Sequence, residues 1–127
     1  MVINFNPKYI PGDIVYSHKK EIIRITSSYL KGTKLFYYRD GDYGWIREDA
    51  IKPIPLTPEI LKKNGWKKFK RPYSSDYCYR RKGYPTLNVR SEKEVYFHWG
   101  DHDKSITAVH QLQHLLFGLG IKHEMKV

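Results

Sequence analysis

Cysteine is almost absent from this sequence, since Cys78 is the only one among 127 residues. A single thiol excludes an internal disulfide and a zinc site built on several thiolates, and a small chain without such staples suits a reducing compartment. Long apolar runs are missing too: no stretch approaches the roughly 18 apolar residues of a membrane helix, and no charged and then apolar leader opens the chain. We therefore expect a soluble, cytoplasmic protein without membrane association.

Acidic residues are also scarce, at 13 against 23 lysines and arginines, and the imbalance is concentrated in one stretch of the chain. Residues 62–90 hold ten basic residues and one acid, Asp76, so +9 of the net charge of +10 lies there. The ten are Lys62, Lys63, Lys67, Lys68, Lys70, Arg71, Arg80, Arg81, Lys82 and Arg90. Such a cluster concentrates polyanions around the chain, which indicates nucleic acid or an acidic protein surface as the partner.

Aromatic rings are interleaved with this charge. They are Trp66, Phe69, Tyr73, Tyr77, Tyr79 and Tyr84. Phosphate contacts release counterions and exposed rings stack on bases, so the combination favours single-stranded nucleic acid. The predicted binding residues are Lys67, Lys68, Lys70, Arg71, Tyr73, Arg80, Arg81, Lys82, Tyr84 and Arg90. No motif for a particular DNA or RNA sequence accompanies them.

A second interpretation of the same residues is purely structural. Trp66 and Phe69 can pack inward, Tyr77 and Tyr79 can form one buried strand face, and the lysines can serve only to solvate the other face. The direction of the side chains decides between the two. Binding by stacking requires Arg80, Lys82 and at least two rings to project from one side of the sheet.

The pattern of the first part of the chain predicts short strands separated by turns. Pro11-Gly12, Lys31-Gly32 and Asp40-Gly41 punctuate residues 11–55, and the segments between them are rich in β-branched and aromatic residues. Strands this short must curl to bury a core, which predicts a small β-barrel over residues 1–56 with "AIKPI" as its last strand. The order of its elements resembles SH3-like barrels, which implies that fold for this part of the chain.

Residues 57–127 form the second predicted subdomain. Thr57 as N-cap, Pro58 in the first turn and Gly65 as stop predict a short helix in "PLTPEILKKNGW". The alternating segments "WKKFK", "DYCYRR", "PTLNVR" and "EVYFHW" predict an antiparallel sheet, followed by the loop "GDHDKS". A C-terminal helix, "ITAVHQLQHLLFGLG", and a final edge strand, "IKHEMKV", complete an α+β fold.

The C-terminal helix has two faces. At 100° per residue one stripe comprises Ala108, Val109, Leu112, Leu115, Leu116 and Leu119, which we expect to cover the sheet. The opposite side carries His110, Gln111, Gln113, His114 and Phe117. Polar amides and imidazoles around an aromatic ring are typical of a contact surface, so this side predicts a partner helix or a homodimer. Alternatively, Phe117 covers the barrel of the same chain.

Catalytic patterns are weak. His110 and His114 are four residues apart, a spacing at which two imidazoles can share a metal ion with Asp101 or His102, yet Gln111 stands where a metalloprotease has glutamate. Cys78 with the histidines of "HWGDHD" could be a nucleophile and base only if the fold joined them. Phosphate-binding glycine loops and paired carboxylates are missing. We therefore expect that the protein is not an enzyme and holds no cofactor.

Two blocks, "PIPLTPEILKKNGW" and "VHQLQHLLFGLGI", resemble a group of small proteins of Bacteroidetes and their phages or mobile elements, which join an irregular β-rich start to these segments. The resemblance implies an origin and supplies no activity, cofactor or catalytic residue. The resulting hypothesis is a non-enzymatic binding protein of phage or mobile-element type. Its alternative is an inhibitor or accessory factor that binds an acidic protein surface.

Overall fold

The structure is a computed structural model that describes residues 8–41, 44–72, 76–89, 97–99 and 104–127. The chain divides into two compact units, Met1–Ile54 and Pro55–Val127. Each unit contains an antiparallel sheet, and the longer helix of the described residues lies near the C-terminus. The α+β class is confirmed at this level.

The first unit contains a four-stranded antiparallel sheet in sequential order. Its elements are β1 (Ile14–Tyr16), β2 (Ile22–Lys31), β3 (Lys34–Arg39), β4 (Trp45–Arg47) and a 3₁₀ helix (Glu48–Ala50). The predicted turn at Gly32 is confirmed, with a φ of +64° that a residue with a side chain rarely adopts. The early part of β2 pairs with β1 and the later part with β3, and the register shifts between Ile25 and Ser27.

One side of this sheet forms the core of the unit. The buried cluster consists of Tyr9, Val15, Ile23, Ile25, Tyr37, Ile46 and Ile51. After the 3₁₀ helix the chain returns to β1, where Tyr16 and Lys52 exchange backbone hydrogen bonds of 2.9 and 3.0 Å. The predicted strand "AIKPI" is therefore a single bridge. Pro53 follows the bridge directly and has no N–H with which to extend a ladder.

The second unit begins with the predicted short helix, α1 (Pro58–Lys63). The Thr57 hydroxyl oxygen accepts a hydrogen bond of 3.2 Å from the backbone N–H of Ile60, and Gly65 has a φ of +93° just after the helix. Leu61 is fully buried. The predicted cap, stop and anchor are confirmed, because each depends on a few adjacent residues.

The sheet of the second unit has five antiparallel strands, again in sequential order. They are β5 (Lys67–Lys70), β6 (Tyr77–Arg80), β7 (Leu87–Val89), β8 (Phe97–Trp99) and β9 (Lys104–Ile106). The predicted meander is confirmed for β5 to β8. Strand β9 includes Lys104 and Ser105 of the segment predicted as a loop, and it pairs with β8 at Phe97, His98 and Trp99.

Helix α2 (Val109–Gly118) starts where the side-chain oxygen of Gln111 accepts hydrogen bonds from the N–H groups of Thr107 (2.7 Å) and Ala108 (3.2 Å). Its buried side differs from the predicted stripe. Val109, His110, Leu112, Gln113 and Leu116 are buried, whereas Leu115 is half-buried and Leu119 is 44% exposed. The helix is thus turned so that two polar residues enter the interior.

Residues 121–127 do not form the predicted edge strand. The backbone of this segment pairs instead with the amide side chain of Asn64. The Nδ2 of Asn64 donates to the carbonyls of Ile60 and Lys126, each at 2.7 Å. Its Oδ1 accepts a hydrogen bond of 2.8 Å from the N–H of Lys126. Met125 is buried beside this attachment in sequence, at 3% exposure. The end of α1 thereby holds the C-terminal segment.

Replacing Asn64 with alanine is expected to lower the free energy of unfolding by about 0.5–1.5 kcal/mol, because three side-chain hydrogen bonds to backbone groups are lost, two of them at the exposed Lys126. Urea denaturation measures this loss, and faster hydrogen exchange at the Lys126 amide locates it. Lys62→Ala, on the exposed side of the same helix, is the control, with a change within about 0.5 kcal/mol. Equal effects of the two substitutions would contradict the proposed attachment.

Candidate nucleic-acid interface

Strands β5 and β6 place part of the basic stretch on one side of the second sheet. Lys67 lies directly opposite Arg80, and Phe69 directly opposite Cys78, so all four side chains share a side. Arg71 continues the alternation beyond β5, and its guanidinium donates a 2.6 Å hydrogen bond to Oδ1 of Asn88 on β7. We call this surface the basic face. It comprises Lys67, Phe69, Arg71, Arg80 and Asn88.

Like charges face each other across this surface. Lys67 and Arg80 are both exposed cross-strand partners, an arrangement that destabilises a sheet unless an anion lies between them. Among the described residues, none of the cations of the basic face forms an ion pair with an acid. Phe69 is 45% exposed, and the Arg80 guanidinium lies 5.3 Å from its ring centroid. The basic face therefore offers three cations and one ring to solvent.

The other side of β5 belongs to the core side of the sheet. Lys68 and Lys70 lie opposite Tyr79 and Tyr77, both of which are buried. The ammonium of Lys68 covers the Tyr77 ring at 4.1 Å from its centroid. Burial and then the nearby charge of Glu59 raise the pKa of Tyr79. These two lysines extend from the edge strand, apart from the basic face.

Trp66, Arg81 and Tyr84 form a packed group. Trp66 is 1% exposed and its indole N–H donates to the carbonyl of Pro85 at 3.3 Å. The Arg81 guanidinium lies 3.7 Å from the centroid of the Tyr84 ring and 5.3 Å from that of Trp66. Contacts of this kind stabilise the fold by cation–π attraction. Arg81 and Tyr84 are both half-buried, and each packs within this group while keeping part of its surface open to solvent.

The predicted binding surface is thus divided by the structure. Lys67, Arg71 and Arg80 share the basic face, Lys68 and Lys70 lie on the other side, and exposed Lys82 lies in the turn before Gly83. Tyr73 and Arg90 fall outside the described residues. Of the rings that are described, only Phe69 is both exposed and on the side of Arg80. The condition of two rings beside Arg80 is not met within this part of the chain.

The predicted partner surface on α2 is largely internal. His110 is 5% exposed and Gln113 is fully buried, with its Nε2 donating to the carbonyl of His123 at 2.9 Å. Phe117 is 60% exposed and packs edge-on against the His123 ring, with centroids 5.3 Å apart. The C-terminal segment contacts this side of the helix, and of the predicted surface Gln111 and Phe117 stay exposed while His114 is half-buried.

Within the described residues, the remaining chemical candidates bring no set of reactive groups together. The rings of His110 and His114 pack edge to face at 5.5 Å, and within the described ranges no three His, Cys, Asp or Glu residues are placed to hold a metal ion. Asp101 and His102 lie outside those ranges, and Cys78 is buried. A cavity of about 410 Å³ is lined by Trp99, Ser105, Ile106, Gln111, His114, Leu115, Gly118 and Leu119, a lining without carboxylate or thiol.

A second group of rings, three of them exposed, was not predicted as a site. Tyr29, Phe36, Tyr38 and Trp45 lie in the first unit, where the sequence pattern indicated only barrel strands. Their alternation with Lys31, Lys34 and Arg47 along β2, β3 and β4 is the signal that could have identified them. The register shift after Ile25 determines which side of β2 Tyr29 occupies, and no local pattern announces it.

No family model, curated protein or solved structure matches this chain. Within the part of the chain that the structure describes, no helix is long and apolar enough to span a bilayer.

Proposed function

We propose that this chain is a non-enzymatic protein of phage or mobile-element type that binds nucleic acid, mainly through phosphate contacts of the basic face. The observation that carries the proposal is the direct opposition of Lys67 and Arg80, with no described acid paired to either. A phosphate oxygen between them replaces repulsion with two charge-assisted hydrogen bonds. Arg71 adds a third cation on the same side.

Phosphates rather than bases are the main target of this face. Trp66, Tyr77 and Tyr79 are buried, so their rings are not open to bases. Half-buried Tyr84 packs against the Arg81 guanidinium. Phe69 remains as one ring beside three cations. Contacts of this composition bind the backbone with little dependence on sequence.

We also propose that the first unit is an SH3-like barrel, a finer description than its antiparallel sheet. A 3₁₀ helix follows β4, and Lys52 then bridges back to Tyr16 on β1, so the last segment lies beside the first strand. Barrels of this kind carry many unrelated functions. The nucleic-acid proposal therefore depends on the residues of the basic face and not on the barrel.

The test is fluorescence anisotropy of the full chain with labelled single-stranded and duplex DNA and RNA across a salt series. Three phosphate contacts correspond to a slope of log K against log salt of about −2 to −3. The double substitution Lys67→Glu and Arg80→Glu is expected to weaken binding at least about tenfold, since two attractive contacts become repulsive. Lys122→Glu with Lys126→Glu is the matched control, because it changes the net charge equally at exposed sites of the same unit.

Three outcomes would overturn the proposal. A salt slope near zero excludes phosphate contacts, and equal losses in the two double variants mean that net charge alone attracts the probe. Competition by poly-glutamate at the same charge concentration as the oligonucleotide would favour the rival function, which is binding of an acidic protein surface by the same cations. Thermal unfolding of each variant checks that the fold is retained.

A further inference from the structure

Four aromatic side chains form a continuous group on the outer side of the first sheet. Trp45 meets Phe36 edge to face at 4.4 Å between ring centroids, Phe36 is 6.2 Å from Tyr29, and Tyr29 is 6.2 Å from Tyr38. The pairing register puts them on one side, since Tyr29 lies opposite Phe36 and Tyr38 opposite Trp45. We call these four rings, with Lys31, Lys34 and Arg47, the aromatic face.

The rings have different roles within this face. Phe36 is only 7% exposed and forms a floor, whereas Tyr29, Tyr38 and Trp45 are 42%, 36% and 53% exposed. The core of the unit lies on the other side of the sheet, where Tyr37 and Ile46 are buried. Contiguous exposed rings of this size commonly mark a contact surface.

Cations border the rings, and no acid occupies an outward position of the strands that carry them. Lys31 and Lys34 are exposed and directly opposite each other, and Arg47 lies opposite Phe36. The outward positions of β3, β4 and the part of β2 after the register shift carry no aspartate or glutamate. They are Ser27, Tyr29, Lys31, Lys34, Phe36, Tyr38, Trp45 and Arg47. Arg47 is paired at 2.9 Å with Asp49, which follows β4.

We propose that the aromatic face is a stacking site for the unpaired bases of single-stranded nucleic acid. Planar rings accept any base on their faces, and the bordering lysines meet the phosphates that accompany stacked bases. The inference rests on the proposed function for its class of ligand, but it depends on different residues in the other unit. It assigns to the aromatic face the base contacts that the basic face cannot supply.

Charge complementarity selects this occupant over a second copy of the chain. In a two-fold symmetric contact each subunit presents the same patch, so the cations of one copy would meet a surface that carries the same excess of cations. Duplex nucleic acid presents phosphates to these cations but keeps its bases stacked inside the helix. A single strand provides both the negative charge and the exposed π-faces that the aromatic face matches.

The experiment compares three probes on the full chain: labelled oligo(dT), a duplex of the same length, and inorganic polyphosphate, which has charge without bases. Trp45→Ala and Tyr38→Ala are each expected to weaken oligo(dT) binding roughly 5- to 100-fold, the loss of one stacked base. Binding of the duplex and of polyphosphate should stay within twofold. Leu30→Ala is the matched control, since Leu30 is 43% exposed on the same hairpin but outside the aromatic face.

A spectroscopic readout accompanies the affinities. Trp45 is the most exposed of the three tryptophans, Trp66 is buried and Trp99 is half-buried, so stacking at the aromatic face should quench mainly the Trp45 emission. Trp45→Phe keeps a ring, and it should retain most of the oligo(dT) affinity while losing the quench. This conservative variant also keeps the test informative if Trp45→Ala unfolds.

Unchanged oligo(dT) affinity in both alanine variants, or an equal loss for polyphosphate, would overturn the stacking site. Loss of a dimer by Trp45→Ala in analytical ultracentrifugation, with oligo(dT) binding intact, would assign the surface to a second copy instead. If the aromatic variants bind normally while Lys67→Glu with Arg80→Glu does not, the stacking inference fails and the proposed function stands. If the native chain binds no polyanion, both fail.

Discussion

Replacing Trp66 with alanine is expected to lower the free energy of unfolding of the second unit by about 3–5 kcal/mol. Trp66 is among the largest fully buried side chains of the chain, at 1% exposure, and its removal leaves a cavity beneath the Arg81–Tyr84 stack. The indole N–H bond to Pro85 is lost as well. An effect of this size in a segment so rich in charge would show that the segment is partly core.

Phe69→Ala is the matched change three residues away. Phe69 is 45% exposed on an edge strand, so its loss is expected to lower the free energy of unfolding by less than about 1 kcal/mol while weakening nucleic-acid binding. Urea denaturation followed by circular dichroism gives both stabilities, and anisotropy gives the affinities. If Trp66→Ala were nearly neutral for stability and Phe69→Ala strongly destabilising, the assignment of the two rings would be reversed.

The features that the sequence predicted well are those encoded by adjacent residues. The cap at Thr57, the stop at Gly65 and the turn at Gly32 follow from the backbone preferences of one or two residues each. The alternation in "DYCYRR" likewise predicted a strand. Its burial did not follow the alternation, because Tyr77, Cys78 and Tyr79 are all buried. Both sides of a central strand can be covered, and the alternation of residue types then no longer predicts which side chains are buried.

The candidate site was predicted less completely, since its facing depends on pairing between distant residues. The density of positive charge identified residues 62–90 as the candidate site. The register of β5 against β6 determines that Lys67 lies on the same side of the sheet as Arg80, and Lys68 on the same side as Tyr79. The aromatic face depends on a register shift within β2, which no local pattern announces. The strand predicted for the C-terminal segment was wrong. The segment is held by Asn64, which lies 62 residues away in the sequence, and no local pattern predicts that contact.

Replacing Tyr37 with phenylalanine is expected to lower the free energy of unfolding of the first unit by about 1–3 kcal/mol at neutral pH. The Tyr37 hydroxyl is fully buried, accepts hydrogen bonds from the N–H groups of Lys8 (3.0 Å) and Tyr9 (3.3 Å), and donates to the Glu48 carboxylate. Phenylalanine fills nearly the same volume but leaves all three groups without this partner. The loss is therefore polar, and little cavity energy enters it.

The same residue predicts a dependence on alkaline pH. Burial, and then the hydrogen bond to Glu48, raise the pKa of Tyr37 far above its ordinary value. The folded state keeps this proton at a pH where the unfolded state has lost it, so the stabilisation is complete below about pH 10 and declines as the pH rises further. Burial also raises the pKa of Tyr9, so Tyr37→Phe should reduce this decline without abolishing it.

Urea denaturation of the native chain and of Tyr37→Phe between about pH 7 and 11 tests both parts of this expectation. Tyr38→Phe is the control, because the neighbouring side chain is 36% exposed on the outer side of the same strand; it should leave the neutral-pH stability within about 0.5 kcal/mol. An unchanged stability of Tyr37→Phe at neutral pH would contradict the role of its hydroxyl. A stability difference between native and variant that grows above pH 10 would contradict the sign, since loss of the Tyr37 proton must bring the two proteins closer together.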